Sequence, residues 1–256
     1  MTALPNIVVP LIAAFTDDTS TLSEVRVSRV VRFHLERGAK GFVVCGETGD
    51  PYLLAHSERK QLLEWVARES QGLPIWVNVT AMTTAGAVDL CQHASRHGAK
   101  GAVVCPPPVG RFFSNEAKAM LTSVQRHGNL ATLFADPEGK WSSVLEEGGS
   151  PVSLAGAVDP AWSVLDRPSP DEMNAGGYVV TPFSMFGADK VPKILEKLEV
   201  FRPALQSLIR HGGLNRAARA AMAELGCDVG TSRSPVHDLN DDGRKMLAGI
   251  LTALKA

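Results

Sequence analysis

The chain lacks any apolar run approaching the roughly 20 residues that a bilayer-spanning helix requires. Met1–Asn6 carries no basic segment of the kind that opens an export signal. Neither insertion nor export is expected, and a cytoplasmic location is. An excess of charge is also missing: 26 Lys and Arg stand against 27 Asp and Glu, interspersed, for a net charge of −1. That removes the electrostatic case for nucleic acid or a membrane surface and turns attention to a small molecule. No C-x-x-C spacing joins Cys45, Cys91, Cys105 and Cys227, so they read as reduced thiols of a cytosolic protein. A low-pKa, nucleophilic Cys45 is the sharper alternative to a packed thiol at a strand end. No G-x-G-x-x-G follows the first apolar strand, which leaves a dinucleotide site without support.

What is present is a repeat. Gly-Ala-Lys-Gly-x-Val-Val-Cys occurs at Gly38–Cys45 and again at Gly98–Cys105, 60 residues on. Each copy reads as a helix stop, a turn and a buried strand, and a third strand, Ile75–Thr80, lies between them. Two strand-helix units in that span make about 30 residues each, the size of a βαβ module. The 256 residues match the typical length of a one-domain (β/α)8 barrel, ~250 residues. Strands are expected at Ile7–Phe15, Phe42–Cys45, Ile75–Thr80, Ala102–Cys105, Ala131–Phe134 and Tyr178–Thr181. Two more, at Val152–Ala157 and Trp162–Leu165, fall in an irregular stretch, Asp136–Ala175. Helices are expected from Lys190 to about Leu208, at Leu214–Leu225 and at Asp241–Leu254. The fold class is therefore α/β, a (β/α)8 TIM barrel with a C-terminal helical appendage, irregular around strands five to seven. Residues 1–186 supply the barrel strands and most helices, and residues 187–256 the last barrel helix and the appendage.

In such a barrel chemistry belongs to the C-terminal ends of the strands. That demotes Lys40 and Lys100, which precede strands, and promotes Glu47, Thr48, Asp50, Asn78, Thr80, Arg111, Asp136, Lys140, Asp159, Asp166 and Thr181. The loop Gly46-Glu47-Thr48-Gly49-Asp50 is the strongest local signal: two glycines around a hydroxyl can bring backbone N–H groups and Thr48 Oγ1 close to a carboxylate or oxyanion. An ordinary Gly-rich strand-to-helix turn is the plainer account. His93 and His97 form an i,i+4 pair on one helix face, but that helix should lie outside the barrel, and both read as surface or packing residues.

These features together resemble the dihydrodipicolinate synthase/N-acetylneuraminate lyase family. Ala14-Phe15-Thr16-Asp17-Asp18 is similar to its T-P-F-x-D-D. Gly46–Asp50 with Leu53-Leu54 and Ser57-Glu58-Arg59 is similar to G-T-T-G-E…L-x-x-x-E-R, and Val103-Val104-Cys105-Pro106-Pro107 to V-x-x-P-P-Y-Y. Gly177–Thr181 resembles the strand-eight G-x-I-S-x-T, while Asn215, Arg216, Gly226 and Arg233-Ser234-Pro235 stand where the family has N…K…G…R-x-P. The resemblance implies a barrel, commonly a tetramer, that makes or breaks carbon–carbon bonds of pyruvate or a related 2-oxo acid through a lysine Schiff base.

The departures fall on that chemistry. The family's Y-N-x-P-x-R tyrosine is Phe134 and its arginine Gly139. Val152-Ser153-Leu154-Ala155-Gly156 has no lysine where strand six should end in one, the first threonine of the loop is Glu47, and the tyrosine pair after strand four is Pro108-Val109. An imine needs an amine. Three functions stay open. One is an altered lyase in which Thr48, Gly46, Glu47 and Gly49 hold a 2-oxo acid such as pyruvate, Phe134 and Thr181 line the site, and Lys140 replaces the lost lysine. The second uses Glu47, Asp50, Asp136, Asp159 and Asp166 for acid–base or Mg²⁺/Mn²⁺ chemistry without an imine. The third is a non-catalytic, metabolite-binding descendant. No cofactor or resident metal is called for by any motif, and a homo-oligomer, dimer or tetramer, is expected.

Overall fold

The computed structural model describes residues 6–105, 114–134, 174–175, 178–180, 182–196, 203–205, 207–208 and 212–255. Strand β1 (Asn6–Pro10) is followed by α1 (Glu24–Leu35), β2 (Gly41–Val44), α2 (His56–Glu69), β3 (Ile75–Asn78), α3 (Thr84–Arg96), β4 (Gly101–Val104), α4 (Ser114–His127) and β5 (Thr132–Phe134). After the undescribed stretch come β6 (Asn174–Ala175), β7 (Tyr178–Val180), α5 (Val191–Glu196), α6 (Leu214–Glu224) and α7 (Asp241–Lys255).

The repeat has a structural basis. Gly38 and Gly98 end α1 and α3 at φ +80° and +76°, a left-handed turn that glycine adopts without steric cost. Ala39 N–H then reaches back to His34 O and Ala99 N–H to Ala94 O, each at 3.0 Å. The two lysines follow in the same register: Lys40 N–H donates to Ile7 O and Lys100 N–H to Ile75 O, both at 2.7 Å. Both lysine side chains are exposed at the N-terminal ends of the strands, away from the face where chemistry is expected.

Every residue of β2 and β4 is buried, as parallel strands covered on both faces require. The helices supply the outer cover through apolar positions three and four apart: Val27, Val30 and Val31 on α1, Leu62, Leu63 and Val66 on α2, Ala87, Leu90, Cys91 and Ala94 on α3. The sheet order is β5-β4-β3-β2-β1-β7-β6. From β5 to β7 all pairs are parallel, and β1 pairs with both β2 and β7, Ile7 opposite Val179. A first strand joined to the last parallel strand is the seam of a closed (β/α)8 barrel, and this is the fold.

Several expectations shift. The first strand stops at Pro10 rather than running to Phe15. Leu11–Phe15 is buried, but Phe15 pairs with Leu22 across the acidic turn instead of with a neighbouring strand. The short antiparallel β6, paired Asn174 to Val179, was not foreseen. The helix expected from Lys190 starts at Val191, after 3₁₀ turns at Pro182–Phe186 and Ala188–Lys190, and the described residues 203–205 and 207–208 are helical as well. The strands expected at Val152–Ala157 and Trp162–Leu165 lie outside the described residues. The C-terminal helices are more than an appendage, since α6 packs against the 3₁₀ turns Glu47–Gly49 and Pro182–Phe186 and so covers the strand ends.

Candidate active site

At the C-terminal ends of β3 and β4 the polar side chains are spent on joining the strands. Asn78 Oδ1 accepts from Thr80 N–H at 2.9 Å, and Thr80 Oγ1 accepts from Cys105 N–H at 2.7 Å. Behind them α2 sends in Arg59, 6% exposed. Its guanidinium donates to Asn78 O at 2.6 Å and Thr80 O at 2.7 Å, satisfying two carbonyls that lie past the strand ladder. Arg59 also lies beside Cys45. Burial pushes the Cys45 thiol up, with Arg59 opposing that shift, so the packed reading of this cysteine holds over the reactive one.

The loop after β2 is built differently from its glycine-based reading. The left-handed positions are Cys45 (φ +57°) and Asp50 (φ +48°), not the glycines. Gly49 is demanded by proximity instead: a Cβ there would stand 2.9 Å from Leu11 O. Thr48 is 3% exposed, and its hydroxyl donates to Pro10 O at 3.0 Å. That proton is committed to the end of β1, which leaves the Thr48 lone pairs and the loop amides as the groups with which a ligand would interact. Gly46 N–H and Glu47 N–H belong to the same turn, closed by Gly49 N–H to Gly46 O at 2.9 Å.

Three contacts latch the C-terminal segment over this loop. The Asp50 carboxylate accepts from Asn215 Nδ2 of α6. Burial pushes the Asp50 carboxyl up, while the Asn215 bond and the charges of Arg219 and Arg216 pull it down. Arg219, 4% exposed, donates to Ala13 O at 2.8 Å and Val229 O at 3.0 Å. Arg233 grips Glu58 with two bonds of 2.8 Å, donates to Thr19 O, Ser20 O and Leu53 O at 2.9 Å, and lies 4.3 Å over the Phe15 ring. That pairing holds the Glu58 carboxyl below its ordinary range.

The structure thus brings together Gly46, Thr48, Gly49, Asp50, Asn78 and Thr80. Lys140, Thr181, Arg111, Asp136, Asp159 and Asp166 lie outside the described residues, and only the backbone of Glu47 and Phe134 is described. Asp50 is engaged as a latch. Among the described residues no group of three metal-donor side chains converges at the strand ends. Arg59, Arg219 and Arg233 were not singled out as builders of the site. Arg219 had one sequence signal, a cation among Leu214, Ala217, Ala218, Ala221 and Met222 on an otherwise apolar helix face.

The sequence pattern of the Dihydrodipicolinate synthetase family matches residues 3–134. A 4-hydroxy-tetrahydrodipicolinate synthase of Bradyrhizobium diazoefficiens is 32% identical over 88 residues, 34% of this chain and 30% of that protein. An N-acetylneuraminate lyase of Escherichia fergusonii is 33% identical over 98 residues, 38% of this chain and 33% of that one. The chain spans about a third of the length of these curated relatives. The fold extends further. The Proteus mirabilis N-acetylneuraminate lyase superimposes with a TM-score of 0.78 at 17% identity, covering 98% of each chain. DHDPS from Cyanidioschyzon merolae does so with 0.77 at 15%, again over 98% of each.

Proposed function

Because this chain belongs to the dihydrodipicolinate synthetase family, we propose that it binds pyruvate or another small 2-oxo acid at the C-terminal strand ends and acts there as an aldolase-type lyase, with Lys140 as the imine-forming amine. The placement of the lysines carries this reading. Lys40 and Lys100 stand at the opposite end of the sheet. Lys60 pairs with Asp89 at 2.7 Å, Lys190 with Asp189 at 3.4 Å and Lys245 with Asp242 at 3.6 Å. Lys193 donates to Leu254 O at 3.3 Å, and Lys118 lies on α4. None of these described amines serves the strand ends. Of the others, Lys140 follows strand five in the chain, whereas Lys197 and Lys255 belong to the C-terminal helical segment.

In the proposed reaction the neutral Lys140 amine adds to the C2 carbonyl and water leaves, giving an imine. Loss of a C3 proton yields an enamine whose carbon adds to an aldehyde, and the reverse sequence cleaves the same bond. The loop amides hold the substrate carboxylate, in a loop that the Thr48 hydroxyl pins to Pro10 O, with Gly46, Glu47, Gly49, Phe134 and Thr181 as the lining. The reading extends to a dimer or tetramer in solution. Among the described residues no helix is long and apolar enough to cross a membrane.

The test is borohydride trapping with pyruvate, read by intact mass and peptide mapping. A single pyruvyl adduct on Lys140, lost in Lys140→Ala, is the expected result. An adduct on another lysine, or full turnover by Lys140→Ala, overturns the assignment. The second reading is a binder without turnover, and the commitment of the Thr48 proton to Pro10 O favours it. It expects a pyruvate-dependent rise in melting temperature with no adduct.

A further inference from the structure

On the helix layer outside the sheet, α2 and α3 carry a facing polar ladder: His56, Lys60 and Glu64 on one, Asp89, His93 and His97 on the other. At its lower end Glu64 Oε1 lies 3.1 Å from His93 Nε2 and 3.8 Å from His97 Nε2, and the three donor atoms all fall within 4.8 Å of one another. We propose that Glu64, His93 and His97 form a surface site for a divalent transition metal of the Zn²⁺ class, which would pin α2 to α3 with a water in the fourth position.

Three observations point to a shared third atom rather than to an ion pair. His93 is 9% exposed, and its Nε2 makes no hydrogen bond within the described structure despite its closeness to Glu64. Two donors that approach without the angle of a hydrogen bond are arranged as ligands of a common centre are. His97 Nδ1 lies 2.9 Å from His93 O. A carbonyl only accepts, so Nδ1 carries the hydrogen and Nε2 keeps its lone pair, the tautomer that metal-binding histidines are usually held in. The rings stack at 4.1 Å with 30° between planes, which sets both Nε2 atoms toward Glu64.

The distances suit zinc. With Zn–N and Zn–O bonds of about 2.0–2.2 Å, two tetrahedral ligand atoms stand roughly 3.3 Å apart. Glu64 and His93 are already within that reach. His97, whose side chain is 37% exposed, stands 3.8 Å from Glu64 Oε1, about 0.5 Å beyond that spacing. The charges facing His93 are Glu64, Lys60 and Arg96, with His97 beside it. Lys60 is tied to Asp89, which also takes His56 Nε2 at 2.6 Å, so its charge is met within the ladder. The pair stood as packing residues in the sequence because the third ligand belongs to the preceding helix.

The experiment is calorimetric titration of the metal-free full chain with ZnCl₂, alongside His97→Ala and Glu64→Gln. Both substitutions are at half-exposed side chains, and far-ultraviolet circular dichroism of each metal-free variant verifies its fold. One-to-one binding is expected, weakened about tenfold or more in each variant, with a Zn²⁺-dependent rise in melting temperature that chelation reverses. Co²⁺ should give weak visible bands without a thiolate charge-transfer band, which separates this site from one at the cysteines. Absence of stoichiometric binding, equal affinity in His97→Ala, or a thiolate band would overturn the proposal.

Discussion

His34 makes the fold acid-labile in a way that can be isolated. It lies on the inner side of α1, 1% exposed, with the Phe33 ring edge-on at 5.0 Å and Nδ1 without a hydrogen-bond partner among the described residues. Burial first, and the Arg37 charge second, lower its pKa from 6.5 to about 3. A depressed pKa means that the unfolded chain binds the extra proton, so stability is fully present above pH 6.5 and declines as pH falls toward 3. Between pH 7 and pH 5 the loss from this one group comes to about 2 kcal/mol. For a chain of this size that is ~4–8 °C in melting temperature. His34→Leu fills the same apolar position without a titrating group. Urea denaturation of both proteins across that range should show the wild type losing about 2 kcal/mol more than the variant. Parallel pH profiles, or a His34 resonance in the folded protein that titrates near 6.5, would refute the reasoning.

Gly49→Ala should destabilise by about 1–3 kcal/mol, because the new Cβ would meet Leu11 O at 2.9 Å, a backbone atom of a residue whose own N–H is held by Val43 O. An unchanged denaturation midpoint would mean that the loop does not rest on strand one. Arg233→Met should cost about 2 kcal/mol, and the double-mutant cycle with Glu58→Gln should show coupling, since the two side chains share a paired contact at 2.8 Å. Additive effects in that cycle would contradict the paired geometry. Arg59→Leu should destabilise by about 3 kcal/mol or more, by leaving the carbonyls of Asn78 and Thr80 unpaired in a buried place. A loss below about 0.5 kcal/mol would show that water replaces the guanidinium there.

What was legible in the sequence was local. The Gly-Ala-Lys-Gly repeat encodes a helix stop and a register within a dozen residues, and the helix faces at Val27, Val30 and Val31 follow from spacing alone. The apolar run Ile7–Phe15 announced burial correctly and extended pairing wrongly. Hydrophobicity reports that Leu11–Phe15 is covered, but not that the cover is α6, with Arg219 on the Ala13 carbonyl. In the loop after β2, glycines suggested where the chain would turn. The left-handed residues are Cys45 and Asp50, because the packing of the loop on strand one fixes which positions must bend. Asp50 finds Asn215 from 165 residues away and Glu58 finds Arg233 from 175, pairings that no local pattern encodes.

Those long-range pairings divide the barrel. Asp50–Asn215, Ala13–Arg219 and Glu58–Arg233 all tie the β1–β2 side, within the family-matched residues 3–134, to residues 215–233 of the C-terminal segment. Of the departures that the sequence resemblance implies, Glu47 and Pro108-Val109 fall inside the match, while Phe134, Gly139 and the lysine-free Val152–Gly156 stand at its end or beyond it, on the β5–β6 side in chain order. The side proposed to hold a substrate carboxylate is latched by these three contacts, while the side that would supply the amine carries most of the implied departures. Binding and turnover should then separate experimentally. Substitutions at Thr48 are expected to weaken pyruvate-dependent thermal stabilisation whether or not an adduct forms, and Lys140→Ala should abolish trapping while leaving that stabilisation in place. If Lys140→Ala removed both, Lys140 would be a binding residue, and the division of labour between the two sides of the barrel would be wrong.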